Sequence, residues 1–347
     1  MNRKNVISAG FFCLLVVLTA AAIFRGNDMN TVVAAMTTLD PFYLLAAAVT
    51  ALFFTSAEGI MIWYLLTSLE GRTNLLTCIK YSFVGFFYSG ITPSATGGQP
   101  MQLYYMQKEG HKVSDSSVVL MTVAVVYKFV LVMIGIGILI FYRTPLMGYL
   151  GKYIYLYYLG LFLNTALVVV LLFVMATPNC FKTIILFGEA LLKKLHLLKK
   201  SGERTEKLIE MADQYHEAVL FLAGHKRKLL FIVLFTFIQR CSVFFLTWLI
   251  YRGMGLSGES MLGIMILQAS VYIAVDMLPL PGSQGITEIM YKASFGQVFS
   301  GAYLPASMCL TRGMNFYFLL IVSAFTAIYC HFQTQRQGKK GIAGRKR

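Results

Sequence analysis

The sequence predicts an all-α polytopic membrane protein with about six full spans and two re-entrant helical hairpins of opposite orientation. Three observations predict it. Of 347 residues, 57% come from the set AVILMFWYC and only 13% are charged, against about 25% charged in a soluble domain; the mean hydropathy is +0.68. Apolar runs of about 20 residues, the length of a membrane-crossing helix, recur along the whole chain. Two further apolar segments, one in each half, are interrupted by Gly and Pro clusters through which a helix cannot continue. With so much of the chain in the membrane, no room remains for a large soluble catalytic domain.

The first apolar run is Ile7 to Phe24, preceded by Arg3 and Lys4. Ala20-Ala21-Ala22 resembles a signal-cleavage region, but a run this long, followed by more spans, reads as an uncleaved first helix. Full spans are expected next at 41–67, 114–142, 153–176, 229–251 and 302–330. Residues 1–335 form a single membrane domain on this reading, and 336–347 a basic tail.

Charge asymmetry sets the orientation. The formal net charge of +15 would suggest nucleic acid in a soluble protein; here it reads as the excess of Lys and Arg on the cytoplasmic side. With Arg3 and Lys4 inside, alternation puts Arg25, Arg143, Lys152 and Arg252 outside. Arg72, Lys108, Lys112, the run from Lys182 to Lys228 and the tail from Arg336 to Arg347 then fall inside, bringing the inner total to 21 of the 30 Lys and Arg. Both termini are therefore expected in the cytoplasm, and the stretch 181–228 is expected to form amphipathic helices at the inner surface.

Two segments do not read as ordinary spans. Residues 75–108 begin as an apolar helix, break at 89–100, which holds three Gly and two Pro, and resume as a helix to Lys108. Basic residues on both sides place its two ends in the cytoplasm. Residues 260–299 break at Leu278-Pro279-Leu280-Pro281-Gly282-Ser283-Gln284-Gly285 and resume at Ile286, entering from the outside. Paired breaks of opposite orientation are the mark of an inverted repeat with a substrate site near the midplane. Each returning half-helix offers an N-terminus, near Thr96–Gln99 and near Ser283–Gly285, that favours an anion. Taken singly, either break also reads as a kinked helix with no ligand role.

Eight charges lie inside or beside apolar segments: Glu58, Lys80, Lys128, Arg240, Asp276, Glu288, Lys292 and Arg312. Facing lipid, each would cost ~2.5–3.5 kcal/mol, so each is expected to face an interior cavity and a partner. Three acids can pair three of the five cations; a substrate phosphate would supply the remaining negative charge. For any one of these residues an internal ion pair is an equal alternative, and Lys80 and Lys292 also read as snorkelling to an interface. The candidate substrate-binding set is Thr92, Pro93, Thr96, Gly97, Gly98, Gln99, Lys128, Arg240, Asp276, Pro281, Gly282, Gly285, Glu288 and Arg312. Gly97, Gly98, Gly282 and Gly285 are expected to allow close backbone approach to a headgroup.

Other chemistry is sparse. The six cysteines show no CxxC or metal-ligand spacing and the five histidines stand singly. No GxSxG, HExxH, GxxxxGK[ST] or GxGxxG motif occurs, so neither a catalytic residue nor a metal or other cofactor is expected.

At residues 89–100, at Tyr127-Lys128, and at Leu278 through Glu288, the sequence resembles the flippase-like membrane region of lysylphosphatidylglycerol synthase, the bacterial multiple peptide resistance factor. The resemblance covers nearly the whole chain in segment order. It implies a protein of the bacterial inner membrane that moves an aminoacylated phosphatidylglycerol toward the outer leaflet. The full-length synthase also carries a cytoplasmic aminoacyltransferase domain, which this chain is expected to lack. Three functions follow as expectations. The first is a flippase for an anionic or aminoacylated phospholipid; the second is a phosphatidylglycerol lysyltransferase or its membrane subunit, acting in lipid modification and cationic peptide resistance. The third is a scaffold recruiting a separately encoded lipid-modifying enzyme. The expected partners are the phospholipid and the membrane, with homo-oligomers an open alternative and no nucleic acid.

Overall fold

The computed structural model describes residues 29–92, 95–177, 202–278 and 285–344, with Thr183 and Phe187 besides. The expected first span, Pro93, Pro281, Gly282 and most of the stretch 181–201 lie outside the described residues.

Helix α1 (Met29–Thr37) leads into α2 (Pro41–Glu70). Asp40 starts α2 by accepting from the Phe42 N–H at 2.8 Å, and Pro41 takes the first turn, where a missing N–H is no loss. The first hairpin is α3 (Leu75–Ile91), a break, and α4 (Gly98–Lys108); α5 (Val113–Phe141) follows. Next come the short α6 (Arg143–Leu150), a 3-10 turn at Gly151–Tyr153, α7 (Ile154–Ala176) and α8 (Gly202–Gly224). The second half repeats the order of the first: α9 (Lys226–Gly253), then a hairpin of α10 (Met261–Val275) and α11 (Ile286–Phe295). It closes with α12 (Tyr303–Arg312), a π-helical segment at Gly313–Phe318, and α13 (Leu319–Gly344).

Five stretches are long and apolar enough to cross a membrane: Pro41–Glu70, Val113–Phe141, Arg143–Ala176, Lys226–Gly253 and Tyr303–Gln333. The five spans expected after the first are all among them, most running a few residues beyond the apolar stretch because polar ends continue the helix. The last departs from expectation by carrying the π segment in its middle. Helices α3 and α10, at 17 and 15 residues, are shorter than a span, as half-crossing hairpin arms must be.

Two apolar cores show how the hairpins are placed. One joins the C-terminal half of α2 (Met61 to Leu66), the N-terminal half of α5 (Val118 to Val130), α3, α4 and α8. The other joins the N-terminal half of α2 (Ala47, Ala51), the C-terminal half of α5 (Leu131, Ile138), α7, α10, α11 and α12. The hairpins therefore pack against opposite ends of the same two long helices. Helix-to-helix contacts exchange in the same way: α2 packs on α9, α3 on α13, and α10 on α5. Glycines permit the tightest approaches. A Cβ on Gly59 would lie 2.5 Å from the Ile79 backbone of α3, and one on Gly160 of α7 would lie 2.1 Å from the Ile273 carbonyl of α10.

Candidate functional site: a cavity where the two breaks meet

The boundary between the two cores falls at Phe54, Tyr127 and Arg240, near the midpoints of α2, α5 and α9. A cavity of about 240 Å³ opens there. Ser89, Gly90 and Ala95 bring the first break to its wall, and Asp276, Leu278 and Thr287 bring the second. Arg312 and the π segment's Asn315 and Phe316 complete it. Among the described residues, six aromatic rings line it: Phe54, Phe86, Tyr127, Tyr272, Tyr291 and Phe316. The π segment places Asn315 so that its amide donates to the Tyr272 hydroxyl at 3.2 Å, and such irregular turns within long helices are frequent at functional sites.

The embedded charges are arranged around this space. Lys128 of α5 and Asp276, at the end of α10, are in direct contact, tying the first half to the second break. Arg312 Nε lies 3.4 Å from Glu288 Oε1. The other Glu288 oxygen accepts from the Gly285 N–H, so the start of α11 is capped by its own carboxylate and its dipole already holds a negative charge. This corrects the expectation of an N-terminus left open to an anion.

Glu58 meets no cation among the described residues; its Oε1 accepts from Gln102 Nε2 at 2.7 Å. Gln102 reaches it by crossing α3 at Gly85, where a Cβ would lie 2.3 Å from the amide nitrogen. Arg240 is fully buried, and its Nε and both terminal nitrogens have no hydrogen-bond acceptor among the described residues. Its guanidinium carbon lies 3.2 Å from the centre of the Tyr127 ring. A cation–π contact gives about 2 kcal/mol or more when desolvated, comparable with the ~2.5–3.5 kcal/mol cost of a mid-membrane charge. The ring face nonetheless offers the guanidinium N–H groups no acceptor oxygen.

Of the described candidate residues, only Asp276 and Arg312 line the cavity directly; Lys128, Glu288 and Arg240 stand one side chain behind. Thr96 and Gln99 are exposed. Thr92 organises the first break, its hydroxyl donating to the Tyr88 carbonyl at 2.6 Å and accepting from the Gly97 N–H at 2.9 Å. Gly97 and Gly98 have a reason other than headgroup approach: a Cβ on Gly97 would lie 2.7 Å from Thr92 Cγ2, and one on Gly98 2.1 Å from Ser89 Oγ. The protein itself fills both places, because α4 packs directly on α3. Gly285 is required by its backbone, at φ +84°. Lys80 extends toward Gln333 Oε1 at 3.5 Å, and Lys292 sits in the last turn of α11, where a cation suits the helix dipole.

Sequence reasoning missed the polar and aromatic wall. Gln268, Tyr272 and Asp276 recur every four residues along an otherwise apolar helix, which puts them on one face. That spacing was a usable signal. The Gln102–Glu58 and Tyr127–Arg240 pairs had no comparable one.

Residues 5–323 match the family described as the lysylphosphatidylglycerol synthase TM region. The chain is also similar to a UPF0104 membrane protein of Pyrococcus horikoshii, 24% identical over 252 residues, covering 68% of this chain and 73% of the relative. The chain belongs to the lysylphosphatidylglycerol synthase TM region family, and it is a multi-pass membrane protein.

Proposed function

We propose that, as a member of that family, the chain binds the headgroup of an anionic or aminoacylated phospholipid of the phosphatidylglycerol type and passes it between the leaflets of the cell membrane. The supporting observation is the cavity at mid-length of α2, α5 and α9, where two oppositely placed hairpin breaks meet beside Arg312. Broken backbone at membrane depth is tolerated only where it is buried in protein or lines a cavity. At about 240 Å³ this one is smaller than the ~300–1,000 Å³ of a drug-sized pocket. It therefore takes a headgroup and leaves the acyl chains in lipid. Arg312 supplies a planar fork suited to phosphate, and Asp276 with the aromatic wall suits an ammonium. The Lys and Arg asymmetry of the sequence supports cytoplasmic termini.

The test is translocation of a fluorescent phosphatidylglycerol in reconstituted vesicles, followed by quenching of the label in the outer leaflet. Leu278→Trp, which fills the cavity's edge, and Arg312→Met should each slow translocation at least roughly tenfold, the size of one lost charged hydrogen bond. Translocation no faster than in protein-free vesicles, or unaffected by Leu278→Trp, overturns the reading. Orientation is checked with single cysteines at Gly148 and Gly202 in a cysteine-free background. An impermeant thiol reagent should label the first from outside and not the second.

A further inference from the structure

Every acid near the cavity is already engaged. Asp276 is held by Lys128, Glu288 by Arg312 and the Gly285 N–H, and Glu58 by the Gln102 amide. Arg240 is different: a fully buried guanidinium whose nitrogens meet no acceptor among the described residues. It has five N–H donors in a fixed fork and only the face of one ring against them.

That ring is also cavity wall. Tyr127 lines the cavity, while its centre lies 3.2 Å from the Arg240 guanidinium carbon. It stands between the open space and the one buried cation, among the described residues, that lacks an anionic partner. Gln268 also lines the cavity, and its buried Oε1 has no donor among the described residues; as an acceptor it suits a headgroup hydroxyl and leaves the phosphate to Arg240. Asp276 is near enough to Arg240 to act on it electrostatically, but the Lys128 ammonium holds that carboxylate.

The geometry points to Tyr127 as a shutter over an oxyanion site at Arg240. Resting on the proposed role of the cavity, the inference is that the headgroup phosphate takes the place of the Tyr127 ring on the guanidinium when the ring rotates aside. Rotation about χ1 moves an aromatic ring between staggered positions, and the cavity beside it gives the ring somewhere to go. In the closed position the ring screens the cation in the absence of a ligand. In the open position the planar fork meets two phosphate oxygens, a stronger and more directional contact than the ring face provides. The exchange lets a lone cation persist at mid-depth without a permanent internal salt bridge, which would compete with the ligand. Arg312, already paired on the wall, becomes the outer of two cations that a phosphate meets in turn.

The test uses the full chain in nanodiscs of phosphatidylcholine, with dihexanoyl phosphatidylglycerol as the lipid probe, inorganic phosphate as the free anion and dihexanoylglycerol as the uncharged control. Wild type, Tyr127→Ala, Tyr127→Leu, Arg240→Met and the double variant Tyr127→Ala with Arg240→Met are compared by calorimetric Kd and by Tm. Removing the competing ring should tighten binding of the lipid probe about tenfold in both Tyr127 variants, the scale of a desolvated cation–π contact. The double variant should lose the whole gain, and the uncharged control should respond to neither change. Phe325→Ala, at an exposed ring on α13, should leave every Kd as in wild type. Arg240→Met should keep or raise Tm, because a buried charge without an internal partner is replaced by an apolar chain of similar length.

The shutter is overturned by a Tyr127→Ala gain that survives Arg240→Met, by an equal gain for the uncharged control, or by a fall in Tm for Arg240→Met. A gain for inorganic phosphate alone overturns the lipid assignment. If the wild type binds the lipid probe in a manner sensitive to Leu278→Trp but neither Tyr127 variant tightens it, the cavity reading stands and the shutter falls. If no variant binds the probe through the cavity, both fall.

Discussion

The two hairpins share an outline and differ in chemistry. The first is closed by neutral donors and close packing: the Thr92 hydroxyl on the Gly97 N–H, Gly98 seated against Ser89, and the Gln102 amide reaching across Gly85 to the Glu58 carboxyl. The second is closed by charge, with Glu288 capping α11 and facing Arg312 and Asp276 held by Lys128 of the other half. Both must end a helix at mid-depth and start another. The means differ. A packed closure has no alternative partner, whereas an ionic closure can be competed for by another ion, so the second hairpin is the one whose geometry a charged headgroup can alter.

The largest expected effect tests the ionic side. Lys128→Met leaves Asp276, partly buried at the cavity wall, without the cation it touches and should lower stability by about 3 kcal/mol, the lower end for a broken buried pair, measured by thermal unfolding in detergent. Adding Asp276→Leu should recover most of that loss. If the single variant is as stable as wild type, the second hairpin does not depend on this pair and the contrast disappears.

The matching test on the packed side is Gly98→Leu. The new side chain must displace Ser89 Oγ and the Gly85 carbonyl, an overpacking that should cost ~1–3 kcal/mol. A Cβ on Gly285 would meet no atom within 4 Å among the described residues, so Gly285→Ala should show only the ~1–2 kcal/mol penalty of a left-handed backbone for an L-residue. A larger loss at Gly285 than at Gly98 would reverse the assignment of packing to one break and backbone conformation to the other.

Gln102→Leu sharpens the comparison further. It removes the donor to a buried carboxylate and should cost about 1.5–3 kcal/mol, on the scale of a hydrogen bond to a charged group. Glu58→Gln combined with Gln102→Leu should be milder than Gln102→Leu alone, because no charge is then stranded. Unchanged stability in Gln102→Leu would mean that the Glu58 contact does not hold α4 in place.

The smallest effect is the one expected to be the same in both halves. Asn74 caps α3 by accepting from Leu76 N–H at 2.9 Å, and Ser260 caps α10 by accepting from Gly263 N–H at 3.0 Å. Asn74→Ala and Ser260→Ala should each cost about 1 kcal/mol. Clearly unequal losses would show that the entry to the hairpins, as well as their closure, differs between the halves.

The sequence by itself determined the helical class, the positions of the long described spans, and the two breaks with α11 starting at Ile286. Those are local properties: apolar run length sets a span, and Gly and Pro end a helix wherever they cluster. It also determined that Glu58, Lys128 and Arg240 must be handled inside the protein, since their cost in lipid depends only on depth. The choice of partner was decided by tertiary structure alone. Lys128 and Asp276 are 148 residues apart, Gln102 and Glu58 are 44 apart, and Arg240 stacks on a ring of a different helix. Which of several equally suitable groups meet depends on how helices cross and where a glycine lets one side chain pass another. Only the packed arrangement of α2, α3, α5 and α9 contains that information.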